Sequence, residues 1–219
     1  REVERIYLAL HKPAGYVTTR EDPKAEDIVM DLVLPALRKR FGQDSAMVQG
    51  LHPVGRLDAQ SEGLLILTND GSFTQALTHP RHQVVKTYKA TVRGIPDREA
   101  MERLRTGVPL FGRYTRPARA RLARIDRARE TAVVEIELRE GHNQQVRRML
   151  QAVGYPVTKL MRTAVGPVTL YRLKPGQWRH LTAGEVAMLR EAARDPEQHG
   201  DIGPLSRQKG TQEERGGER

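Results

Sequence analysis

The sequence predicts an α+β fold built on a largely antiparallel, mixed sheet with flanking helices. Three observations carry that expectation. Short apolar runs ended by turn residues recur along the chain, as strands do. Stretches of helical spacing lie between them. The segment Thr131 to Leu138 sets Val134, Ile136 and Leu138 against Glu135, Glu137 and Arg139, the alternation of a strand with one wet face.

Taken in order, Ile6 to Leu10 is a short apolar run that predicts a strand. It leads into His11-Lys12-Pro13-Ala14-Gly15, a turn, after which Val17-Thr18-Thr19 resumes extended structure. A helical segment spans Glu26 to Arg40, kinked near Pro35, and Gln49 to Asp58 reads as a loop broken by Gly50, Pro53 and Gly55. Leu64-Leu65-Ile66-Leu67 has the composition of a buried strand, ended by Asn69-Asp70-Gly71, with a short helix from Ser72 to Thr78 stopping before Pro80. Thr87 to Val92 alternates well enough for a half-buried strand. Asp97 is placed to cap a helix from Arg98 to Arg105. Gly141-His142-Asn143 turns the chain into a helix from about Gln144 to Val153, with Val146, Met149, Leu150 and Val153 on one side. Val168 to Leu173 suggests another strand. Thr182 with Glu185 is a capping-box pattern for a helix from Ala183 to about Arg194. The expected organisation is one folded domain over residues 1–195, with room for two subdomains, then a disordered polar tail over 196–219.

Bulk properties bound the function. The 219 residues can bury a real core, and a net charge of +10 with a pI near 10.2 points to a polyanionic partner, nucleic acid first. Charge alone leaves that about even with a protein that is simply basic. The absence of cysteine excludes disulfides and thiolate metal sites and fits a reducing compartment. No apolar run approaches the roughly 20 residues that span a bilayer, so a cytoplasmic protein with no membrane association is expected. The chain opens on Arg1 rather than methionine, which suggests a removed or omitted upstream segment. The histidines lack metal-ligand spacing, and no phosphate-cradling glycine motif occurs, so no metal or cofactor is expected.

Asp58 stands between a breaker-rich loop and an apolar strand. A lone aspartate beside Arg56 is most simply a capping or ion-paired group. Here, however, separated motifs accompany it: Gly55-Arg56-Leu57-Asp58 with Ser61 to Gly71, then Lys86-Thr87-Tyr88, then Glu140-Gly141-His142-Asn143-Gln144-Gln145-Val146-Arg147-Arg148-Met149. Leu10 to Gly15 upstream and Leu160-Met161-Arg162 downstream complete the series. In order and rough spacing these motifs resemble the signatures of pseudouridine synthases of the RsuA family, which act on ribosomal RNA. The resemblance covers about residues 5 to 192. The run from Asp58 to Gly71 and Gly94-Ile95-Pro96 read more like the members acting on large-subunit RNA. Some members carry a small S4-type RNA-binding domain ahead of the catalytic part; this chain begins almost at the catalytic part.

The resemblance implies roles. Asp58 would be the catalytic carboxylate, paired with Arg147 across the cleft. Tyr88 would stack on the target base. Arg56 would contact the RNA backbone and hold the nucleotide out of its stack, and Leu160 would help wall the uracil pocket. Read for themselves, Tyr88 could equally be a packed strand residue, Arg147 and Arg148 a solvated helix face, and Lys86 surface charge or a phosphate contact. Arg147 borders the apolar side of its helix, whereas Arg148 points elsewhere and suits phosphate. His142 and Gln144 stand where the family often has arginine, which lowers the local positive charge. The arginine-rich stretch from Arg113 to Arg129 leans towards an RNA-facing strand and loop over a solvated sheet edge.

The implied reaction breaks the bond from uracil N1 to ribose, turns the base and rejoins it through C5, with no redox step. A carboxylate can attack the anomeric carbon or remove the ribose 2′ proton, and both remain open. Ribosomal RNA, free or in an assembling subunit, is then the expected partner, and a monomer is the default. A glycosidase would need two placed carboxylates and favours aromatic platforms, against an aromatic content of 5%. A non-catalytic RNA-binding or ribosome-assembly factor is the other rival, and the intact Asp58, Tyr88 and Arg147 argue against it.

Overall fold

The computed structural model describes residues 3–142 and 144–194. The expected polar tail lies outside the described residues. Along the chain the strands are β1 (Tyr7–Lys12), β2 (His52–Val54), β3 (Glu62–Thr68), β4 (Lys86–Arg93), β5 (Pro109–Leu110), β6 (Arg113–Tyr114), β7 (Arg119–Asp126), β8 (Thr131–Leu138), β9 (Val157–Val165), β10 (Val168–Thr169) and β11 (Trp178–His180). The helices are α1 (Leu34–Phe41), α2 (Ala46–Gln49), α3 (Gly71–Thr78), α4 (Arg98–Thr106), α5 (Gln145–Ala152) and α6 (Ala183–Arg194), with a 3₁₀ turn at Val29–Leu32. The expected α+β class is observed, and the strand pairs within each of the two compact units are antiparallel.

The first unit is made of residues up to Gln83 together with the stretch from Val168. Its strands run β11-β1-β3, with β2 also on β3. Leu8, Ala9, Leu10, Leu64, Leu65 and Leu67 are fully buried, which is why these strands read as continuous apolar runs. The expected helix over 26–40 is instead two pieces. Pro35 falls in the first turn of α1, where its missing N–H costs nothing, so it begins a helix and does not kink one. The expected loop over 49–58 contains β2, whose Pro53 is tolerated on a strand of three residues.

One carboxylate ties this unit together. Asp70 caps α3, accepting from the backbone N–H groups of Ser72 (3.1 Å) and Phe73 (3.2 Å). It also accepts from Tyr7 Oη (2.7 Å) and pairs with Arg190 of α6 at 2.8 Å. Burial alone would raise its pKa, but the Ser72, Tyr7 and Phe73 hydrogen bonds and the Arg190 charge hold it well below the usual carboxylate range. The capping box of α6 forms as expected, with Glu185 N–H donating to Thr182 Oγ1 at 3.1 Å and Thr182 N–H to Glu185 Oε1 at 3.0 Å.

The second unit, from Val84 to Pro167, orders its strands β9-β4-β8-β7. Helices α4 and α5 bury Met101, Leu104, Val146, Met149 and Leu150 with Ala90, Val92, Val134 and Ile136 of the sheet. Asp97 caps α4 as expected, accepting from Ala100 N–H at 2.8 Å. Gly107 then passes so close to the next segment that a Cβ would meet the Thr115 carbonyl oxygen at 2.7 Å, at a φ of +136°. Only glycine fits there. The opposite face of the sheet differs from expectation. Glu135 and Glu137 are only 5% and 6% exposed. Glu135 lies between Arg121 (3.2 Å) and Lys89 (3.9 Å), whose side chains cover it, so the carboxylates are buried while the cations above them meet solvent.

Candidate active site

The first unit holds Asp58 and Arg56 in the seven-residue link between β2 and β3. Gly55 turns the chain at a φ of +73°, a conformation that an L side chain rarely adopts. Leu57 is buried; its carbonyl accepts from Thr18 Oγ1 at 2.7 Å and its N–H donates back to the same oxygen at 3.3 Å. The Asp58 carbonyl accepts from Ser61 N–H at 2.9 Å, and the Ala59 carbonyl from Gly15 N–H at 2.7 Å. With its backbone so held, the Asp58 side chain is half-buried and Arg56 is exposed.

Lys12 is the residue that sequence reasoning quoted without giving it work. It is fully buried, and its ammonium donates to the carbonyls of Pro13 (2.8 Å), Ala59 (3.0 Å) and Ser61 (2.7 Å). Burial lowers its pKa to about 8, opposed by the negative charges of Glu62 and Asp58. The signal was a lysine continuing a buried apolar strand, a place where charge is kept only if it is fully hydrogen-bonded. This one cation fixes the loop just after Asp58, and Thr18 holds the residue just before it.

The second unit holds the other expected residues. Lys86 and Tyr88 lie two residues apart on β4, Tyr88 half-buried against the core formed with α4 and α5. Lys86 donates to the Val84 carbonyl at 3.3 Å, and burial together with the Arg162 charge lowers its pKa to about 8. Arg162 is itself only 4% exposed and is the β9 residue in register with Tyr88. Sequence reading quoted it in a motif but gave it no role. Leu160, in register with Ala90, sits inside the core at 4% exposure. On α5, Val146, Met149 and Leu150 are buried, Arg147 is half-buried at their border, and Arg148 is exposed. A cleft of about 410 Å³ opens at the end of the sheet where β4 and β7 begin and β8 ends. Arg116, Arg119 and Arg139 line it with Glu137 and Val85. Lined in this way it suits a phosphodiester better than a neutral ligand. Among the described residues no group of three or more histidines and carboxylates is placed to hold a metal ion, and no helix is long and apolar enough to cross a membrane.

Comparison with known proteins defines the class as an RNA-modifying isomerase. The chain belongs to the RNA pseudouridylate synthase family, whose model matches residues 6–152. It is 38% identical over 190 residues to ribosomal large subunit pseudouridine synthase B of Bacillus subtilis, covering 87% of this chain and 73% of that protein. It is 42% identical over 187 residues to ribosomal large subunit pseudouridine synthase E of Xanthomonas campestris, covering 80% of this chain and 94% of that protein. A crystal structure of a pseudouridylate synthase superposes with a TM-score of 0.72 at 28% identity, over 86% of this chain and 75% of that one. The family read from the motifs is therefore the family of the chain.

Proposed function

We propose that this protein isomerises a specific uridine of ribosomal RNA, with large-subunit RNA the favoured substrate, and that Asp58 is its catalytic carboxylate. The observation that carries the assignment to Asp58 is the pinning of its loop. The neighbouring carbonyls are held by a buried lysine and the preceding residue by Thr18, while the carboxylate itself stays half-open. Pre-organised backbone of this kind keeps a reacting group in its productive geometry. The relatives named as large-subunit synthases B and E support the choice of substrate.

In this reading the target uridine leaves its stack, at roughly a few kcal/mol repaid by pocket and backbone contacts. Tyr88 offers its ring to the uracil and Leu160 helps to wall the pocket. Arg56, Lys86 and Arg148 hold phosphates. The Asp58 carboxylate acts on the ribose at C1′ or at the 2′ hydrogen. The N1–C1′ bond breaks, the base turns, C5 bonds to C1′, and the C5 proton is lost as N1 gains one. The isomerisation consumes no co-substrate. The protein acts as a monomer, in the cytoplasm, on free RNA or an assembling subunit.

The test is to incubate the protein and its Asp58→Asn variant with ribosomal RNA transcripts and assembly intermediates and to map pseudouridine. Sites should form with the unmodified protein alone, while the variant still binds RNA. No pseudouridine on any of these substrates would sink the enzymatic reading.

A further inference from the structure

The strand pair β5–β6 is closed by a two-residue turn, Phe111-Gly112, with φ values of +56° and +73°. Positive φ at both central positions is the type I′ geometry, which asks for Asn, Asp or Gly at the first of them. A phenylalanine there is a conformational outlier, and strain of this kind persists where the surroundings or the function demand it. The core does not demand it, because the ring is 47% exposed. Its neighbours are cationic or aromatic. The Arg148 guanidinium carbon lies 4.9 Å from the ring centroid, and the His142 ring centroid lies 5.4 Å away. Arg113, the residue after the turn, donates to the His142 ring. Tyr114 beside it is 73% exposed.

An exposed, flat ring backed by a guanidinium and flanked by further arginines has the chemistry that stacks nucleobases and follows their phosphates. Arg148, which backs the ring, follows Arg147 on α5, about 1.5 Å further along the axis and turned by about 100°, so the platform is anchored to the helix that bears a proposed active-site group. We propose that Phe111 is a second base-stacking site, which receives an unpaired nucleobase of the substrate RNA near the target uridine, with Arg113 and Arg148 on the adjoining phosphates. This rests on RNA being the substrate.

The variant Phe111→Asn separates function from fold, because asparagine is the residue the turn prefers. Its thermal midpoint should equal or exceed that of the unmodified protein. Its affinity for a ribosomal RNA fragment carrying unpaired bases should fall about 10-fold, within the range expected for one lost base–aromatic stack. The kcat at saturating RNA should hold while KM rises, and Phe111→Tyr should restore the affinity. The chain has one tryptophan, Trp178. Phe111→Trp should therefore add an emission that RNA with unpaired bases quenches and a fully paired duplex leaves unchanged. Unaltered affinity in Phe111→Asn, or a tryptophan at 111 indifferent to RNA, would overturn the proposal. If the unmodified protein still makes pseudouridine in that case, only the stacking site fails. If the unmodified protein does not bind RNA at all, the functional reading fails with it. Binding without isomerisation would leave the affinity comparison to decide the stacking site alone.

Discussion

Lys12→Met removes an ammonium from beneath the Asp58 loop and leaves a side chain of similar length. Two opposing effects set the outcome. The lysine's pKa of about 8 in place of 10.5 corresponds to about 3 kcal/mol of burial penalty at neutral pH, and methionine escapes it. Against this, the carbonyls of Pro13, Ala59 and Ser61 lose their donor, at roughly 1–2 kcal/mol each when buried. The net loss of stability is then about 0–3 kcal/mol, or less than about 10 °C in Tm for a chain of this size. Activity should suffer far more. Ala59 and Ser61 lie one and three residues after Asp58, and relaxation of the loop by about 1 Å costs on the order of 100-fold in rate. The assay is single-turnover formation of pseudouridine at 25 °C, with RNA affinity and the melting curve measured in parallel. The expected result is a rate about 100-fold down, affinity within about threefold, and a folded protein. A full rate in Lys12→Met, or a loss that merely follows the unfolded fraction, would refute the reasoning.

Asp70→Asn should destabilise the protein by about 2 kcal/mol in urea denaturation, since it weakens a cap and an ion pair together. Because the folded-state pKa of Asp70 lies below its unfolded value, its contribution is complete above about pH 4 and is lost as pH falls below that, so the variant's stability curve should be flatter in acid. Lys86 titrates near 8 in the folded protein and near 10.5 unfolded, so the unfolded chain holds more protons between those values and stability should rise with pH across that window. Lys86→Met should remove its share of that rise, of up to about 3 kcal/mol, leaving the share due to Lys12.

Much of this was legible in the sequence, and the exceptions have physical causes. Caps at Asp97 and Thr182 were visible because a cap is a local event, with its partner three residues away. Strand β9 was missed because its register against β4 shifts twice, between Thr87 and Tyr88 and between Thr91 and Val92. Each bulge breaks the two-residue period by which strands are recognised. Strand β11, of three residues, is too short to show any period. Glu135 and Glu137 looked solvated because alternation records which face a side chain takes and not what covers it. The same holds for the site. Motif order pointed to Asp58, whereas the support from Lys12 and Thr18 depends on pairings 47, 49 and 39 residues apart, which no local window contains.

The division of the chain has a consequence for how it is made. Among the described residues the second unit is one continuous stretch, but the first is assembled from two stretches lying on either side of it. Leu8 finds its β11 partner only at His180, and Asp70 its ion pair only at Arg190. Contacts across such separations form late, because closing so long a loop must precede any gain from them. A polypeptide emerging from the ribosome can therefore complete the inserted unit, with Tyr88 and Arg147, while the portion that bears Asp58 still waits for its last strand and helix. The enzyme would then become competent only once the stretch through α6 has followed the inserted unit.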